Sequence, residues 1–106
     1  MLTQIIESSR ENEDLIKALH RSTAVIEFDT QGMVLRVNDN FLKSMGYSKQ
    51  DVVGKHHSMF CDEQVASSKE YQAFWQRLRN GEFIASRFKR IDKHGNVVWL
   101  EASYNP

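Results

Sequence analysis

Two strand–turn–strand segments stand at either end of a helical stretch, and that order leaves few folds open. Residues 23–29, TAVIEFD, are β-branched and aromatic, and residues 33–37, MVLRV, repeat that character. Between them lies Thr30-Gln31-Gly32, where the glycine supplies the permissive turn dihedral of a hairpin. A second pair, residues 82–92 and 96–104, alternates with period two around Lys93-His94-Gly95. Two antiparallel hairpins with helices between them predict an α+β domain whose helices cover one face of a sheet.

The intervening segment predicts several short helices. Asn38-Asp39-Asn40 offers N-caps ahead of Phe41, Leu42 and Met45, and Gly46 stops that helix. Ser48 starts another, with Asp51 in its first turn and Gly54 at its end. Residues 55–61, KHHSMFC, predict an irregular stretch or one helical turn. Residues 67–79 carry Tyr71, Phe74, Trp75 and Leu78 at i, i+3, i+4 and i+7, a single apolar helix face closed by Asn80-Gly81.

Residues 1–20 contain no Gly or Pro and read as a helix. Leu2, Ile5, Ile16 and Leu19 fall at heptad-like spacing, with Ser9 and Asn12 in the same register. Such a helix either lies on its own domain or pairs with a second copy. The division is therefore a flanking signalling or dimerisation helix, 1–20, and one globular domain, 21–106.

At 106 residues, a single core with at most one small-molecule cavity is all the chain can build. Fourteen basic residues balance fourteen acidic ones, which favours neither nucleic acid nor an anionic membrane. No apolar run approaches the roughly 20 residues of a membrane-spanning helix. The single cysteine, Cys61, cannot form an internal disulfide, and a cytoplasmic setting is the simplest. Ser58 adjoins His57, but adjacency is not the geometry of a nucleophile and its base. Without a Gly-rich phosphate loop or a metal-hydrolase pair, no enzymatic activity is expected.

Three stretches carry a family resemblance. The opening IEFDTQGMVLRVND resembles D-x-x-G-x-(apolar)-x-x-x-N of the PAS domain. NFLKSMGYSKQDVVGK resembles its helix pair, and FKRIDKHGNVVWLEASYNP resembles its closing hairpin. The narrower likeness, in HHSMFC, FWQRLRNGEF and VVWLEASYNP, is to cytoplasmic PAS domains of bacterial methyl-accepting chemotaxis proteins and aerotaxis sensors. The resemblance implies a chemotaxis-type sensory module that binds a small molecule or cofactor, relays a signal through its flanking helix and precedes a downstream signalling domain. The alternative is a ligand-free dimerisation or interaction module using helix 1–20 or the outer sheet face, where Val97 and Trp99 would be exposed. PAS sheets have five strands, the last of them central. Only four are countable here, so the central strand is expected to be missing, or supplied by another segment or chain.

Candidate site residues follow from alternation and from the resemblance. Ile84, Ser86, Phe88 and Arg90 should face inward on the third strand, and Leu100, Ala102 and Tyr104 on the fourth; Trp99 and Glu101 point the other way. An inward Arg90 needs an acceptor, either an internal carboxylate or an anionic ligand. For a flavin such as FAD, the likeness draws in Asn38, Trp75 and Trp99, whereas Arg90 stands where such domains place an asparagine. His57 stands where light-sensing relatives have their reactive cysteine, which argues against adduct photochemistry. Asn38 has helix capping, and Trp75 core packing, as its simpler role. For haem, His56 or His57 would be the ligand, at most one of them facing inward. Acidic neighbours Asp62 and Glu63 argue against a reactive thiolate at Cys61. No zinc spacing is present.

Overall fold

A computed structural model of the chain describes residues 2–7 and 24–106. Five antiparallel strands form one sheet: β1 Leu2–Glu7, β2 Ala24–Phe28, β3 Val34–Val37, β4 Ile84–Ile91 and β5 Val97–Asn105, in the order β3-β2-β1-β5-β4. Between β3 and β4 run α1 Asp39–Met45, α2 Lys49–Val52, a 3₁₀ turn His57–Phe60, α3 Glu63–Ala66 and α4 Lys69–Arg79.

The first hairpin is set by its turn. Asp29 accepts from the backbone N–H groups of Gln31 (2.8 Å) and Met33 (3.0 Å) through one carboxylate oxygen. Gly32 takes φ 84°, which an L side chain rarely adopts. A Cβ there would also lie 2.7 Å from His56 Nε2, because the turn packs against the helical segment. The Gly32 carbonyl accepts from His57 N at 2.8 Å, and Val34 N donates to Lys55 O at 2.7 Å. Asn38 then bolts α1 to the sheet. Its side-chain oxygen accepts from Phe41 N and from Val25 N, both at 3.0 Å. Ser68 caps α4 by accepting from Tyr71 N at 3.1 Å. The turn between β4 and β5 docks on α1 through Lys93 N to Met45 O, 3.0 Å.

The core lies between the helices and one sheet face. Ile26, Phe28, Met45, Val52 and Tyr104 are wholly buried. Phe28 meets Trp75 edge-on at 5.7 Å between ring centres. Burying side chains of this size contributes about 1.5–3 kcal/mol each. On the opposite face Trp99 and Glu101 point outward, as alternation requires. Ser86 keeps the inward parity, opposite the buried Ala102, but on the edge strand β4 it is left exposed.

The N-terminus corrects the sequence reading. Residues 2–7, expected as the start of a helix, form β1; residues 8–20 of the expected helix lie outside the described residues. Nor is the sheet open at its centre. β1 pairs with β2 on one side and β5 on the other, so Gln4 stands opposite Ile26 and Tyr104 at once. The physical reason is the slot itself. Without β1, two strand edges would bury unpaired N–H and C=O groups, and the β-branched Thr3, Ile5 and Ile6 fit a strand well. Leu2 and Gln4 face the core and are buried.

Candidate functional site

The 3₁₀ turn sends the two adjacent histidines to different places. His56 stays beside Gly32, where its Nδ1 accepts from Ser58 N at 3.0 Å. His57 points into the core and is wholly buried. Its ring is enclosed by Phe28 at 5.1 Å, Trp75 at 5.4 Å and Tyr71, Tyr104 and Phe60 within 6 Å.

Both imidazole nitrogens have partners. Nδ1 lies 2.7 Å from Tyr71 Oη and Nε2 lies 3.0 Å from Tyr104 Oη. Arg90 Nη2 donates to the same Tyr104 oxygen at 3.2 Å, and Gln4 of β1 stands directly across the sheet from Tyr104, buried and with its side-chain oxygen unpartnered. A guanidinium only donates, so the Tyr104 oxygen accepts from Arg90, which leaves its O–H to donate to His57 Nε2 in the tautomer that carries the His57 proton on Nδ1, facing Tyr71. The Tyr71 hydroxyl is left to donate toward Cys61, whose Sγ lies 4.0 Å from His57 Nδ1. One chain of polar groups thus runs from β4 through β5 to the helices.

Burial holds this network neutral apart from Arg90. Desolvation pushes the His57 pKa well below its ordinary value, and the nearby Arg90 charge and His56 lower it further. Tyr104 is pushed up to about 12 by burial, partly opposed by Arg90. Burial also raises Tyr71 and Cys61, so the thiol stays protonated and unreactive at neutral pH.

Arg90 is 5% exposed. Among the described residues it has no carboxylate within ion-pair distance. Its Nη1 donates to Lys89 O at 3.0 Å, its guanidinium lies 4.8 Å from the Phe88 ring centre, and its Nε has no hydrogen-bond partner. It borders a groove of about 400 Å³ between α3, α4 and β4, lined also by Val65, Tyr71, Phe74 and Phe88, with Glu70 at its edge.

The structure gathers His57, Trp75, Phe88 and Arg90 in one region and seats Leu100 in the sheet beside Phe88. Asn38 lies apart, at the start of α1. Tyr104 and Tyr71 had been read only as inward, apolar-face positions, and Gln4 as part of a helix. Parity and helix spacing report which way a side chain points, not which hydroxyl it meets. The inward arginine was the usable signal, since it demanded an acceptor.

The interior does not fit haem or flavin as arranged. His57 has no free nitrogen for iron, and aromatic rings occupy its surroundings. His56 Nδ1 serves the backbone and its Nε2 faces Gly32. Asn38 Oδ1 is engaged by two backbone N–H groups, and Trp75 is packed in the core. Among the described residues, no group of three His, Cys, Asp or Glu side chains is placed to hold a metal, and no helix is long and apolar enough to cross a membrane.

Comparison with known proteins agrees with this architecture. The PAS fold family matches residues 34–106. The chain is 42% identical over 102 residues to the biofilm dispersion protein BdlA of Pseudomonas aeruginosa, covering 96% of this chain and 24% of that protein. It is 26% identical over 85 residues to the aerotaxis receptor of Escherichia coli, covering 80% of this chain and 17% of the receptor. The chain therefore spans a quarter or less of the curated relatives it matches. A crystal structure of a domain of the sensory box sensor histidine kinase/response regulator from Geobacter sulfurreducens superposes with a TM-score of 0.69. The identity there is 17%, with 84% of this chain and 86% of that one covered.

Proposed function

The chain belongs to the PAS fold family, and on that premise we propose that it is the cytoplasmic, non-catalytic sensory module of a chemotaxis-type receptor, relaying the state of the α3–α4–β4 groove to its N-terminal segment. One observation carries the reading. Tyr104 accepts from Arg90, which borders the groove, through its hydroxyl, and pairs across the sheet with Gln4 of β1. A change at Arg90 alters the partners of Tyr104 and so the seat of β1, to which residues 8–23 connect. The likeness to an aerotaxis receptor and to a biofilm dispersion protein supports the receptor context, with a downstream signalling domain in the longer protein.

A double-mutant cycle with Gln4→Leu and Arg90→Met tests the relay. Two sites joined through Tyr104 should show a coupling of at least about 0.5 kcal/mol in urea unfolding. Additive effects would remove the basis for it.

An interaction role for the outer sheet face has its own support. Phe83, Val97 and Trp99 are 60%, 51% and 57% exposed there. Exposed apolar residues of this size mark a contact surface for a second copy. Sedimentation equilibrium of the chain tests this, and a strictly monomeric mass at high concentration would rule it out.

A further inference from the structure

We propose that the groove between α3, α4 and β4 binds a small monocarboxylate carrying an aryl-sized apolar body. The inference rests on the sensory reading above and names the chemical class that the groove would recognise.

The anion follows from Arg90. A guanidinium this deeply buried is costly to leave without a counter-charge. The described residues give it a carbonyl, a phenol and the face of Phe88, but no carboxylate. Its neighbour Lys89 is already paired with Asp62 at 3.6 Å. A carboxylate is the planar acceptor that a guanidinium fork holds best.

The apolar body follows from the lining. Phe74 meets Phe88 edge-on at 5.8 Å and lies parallel to Tyr71 at 6.4 Å, so the wall is a run of aromatic faces and edges with Val65 beside it. A ring laid there continues that run with the offset or edge-on contacts aromatic pairs prefer. The volume of about 400 Å³ admits a body of one ring.

The single charge follows from Glu70, which lines the same groove. The groove's buried cation, Arg90, can pair with one carboxylate, and the rim carboxylate of Glu70 repels any further negative charge. A second carboxylate on the ligand would face Glu70.

Titration of the chain with benzoate, benzamide and phthalate, followed by NMR shifts of Phe74, Phe88 and the Arg90 Nε–H, tests the proposal. Benzoate should bind with a dissociation constant on the order of 1 mM, appropriate to so small a ligand. Benzamide, the neutral isostere, should bind at least tenfold more weakly, and Arg90→Met should abolish the benzoate shifts. Glu70 is exposed, so Glu70→Gln leaves folding intact; it should strengthen benzoate binding and bring phthalate binding closer to it. Equal affinity for benzoate and benzamide overturns the carboxylate class, as does benzoate binding undiminished in Arg90→Met. Neither of those results touches the coupling of Gln4 to Arg90, whereas an additive Gln4/Arg90 cycle removes the relay and leaves the ligand class standing. No shift in the groove at benzoate concentrations far above the expected constant, in the wild-type and Glu70→Gln chains alike, overturns the site altogether.

Discussion

Replacing Tyr104 by Phe keeps the ring and deletes one oxygen, and the structure assigns that oxygen an unusual share of the core. Tyr104 is wholly buried, and its hydroxyl serves Arg90 Nη2 at 3.2 Å and His57 Nε2 at 3.0 Å. Its loss orphans two buried polar groups together. Leaving one such group unpaired costs about 1–3 kcal/mol. Arg90 keeps its bond to Lys89 O and His57 keeps Tyr71, so each orphaned group should fall at the low end. The expected loss is then roughly 2 kcal/mol, a fall in Tm of about 8–16 °C for a domain of this size. Urea unfolding followed by circular dichroism at pH 7.5 measures it, with an unchanged m-value showing that the same surface is exposed. Tyr71→Phe touches only uncharged partners, His57 and Cys61, and should cost less. A loss under about 0.5 kcal/mol for Tyr104→Phe, the size of an ordinary surface change, would refute the claim that this hydroxyl organises the core.

Other perturbations follow from the same geometry. The folded His57 pKa is depressed, first by burial and then by Arg90 and His56, so the unfolded chain takes up a proton on this residue before the folded one does. The stability from keeping it neutral is therefore full above about pH 6.5 and declines as pH falls below it, by up to about 1.4 kcal/mol per pH unit. The urea midpoint should fall between pH 7.5 and 5, and His57→Asn should flatten that slope; an equal slope in both chains would exclude His57 as its source. Gly32→Ala places a methyl 2.7 Å from His56 Nε2 at φ 84° and should cost about 1–3 kcal/mol by thermal denaturation; an unchanged midpoint would show that the turn is not packed there. Trp99→Ser removes an exposed ring under the Arg87 guanidinium, 5.1 Å away, and should cost under about 1 kcal/mol while weakening any self-association seen by sedimentation.

Most of the frame was legible because it obeys short-range rules. Period-two alternation placed Phe88, Arg90, Leu100 and Tyr104 inward and Trp99 outward, and the Asn38 cap and the α4 face followed from local chemistry. β1 was not legible for two reasons. LTQIIE also satisfies a heptad through Leu2 and Ile5, and the inward Gln4 interrupts the apolar alternation that would mark a strand. What decides its conformation is the need of β2 and β5 for a shared neighbour, a demand made far along the chain. The partner of Arg90 was hidden for a related reason. A carboxylate can be sought in a sequence, but a tyrosine that packs by its ring and pairs by its hydroxyl looks the same as one that only packs.

Amide hydrogen exchange in β1 tests the relay most directly. Gln4, Ile5 and Ile6 should exchange at least about tenfold faster in Arg90→Met than in the wild-type chain, equivalent to about 1.4 kcal/mol of local opening, while α1 amides change less. Acceleration confined to β4, or uniform across α1 and β1, would contradict a path from the groove through Tyr104 to the N-terminal strand.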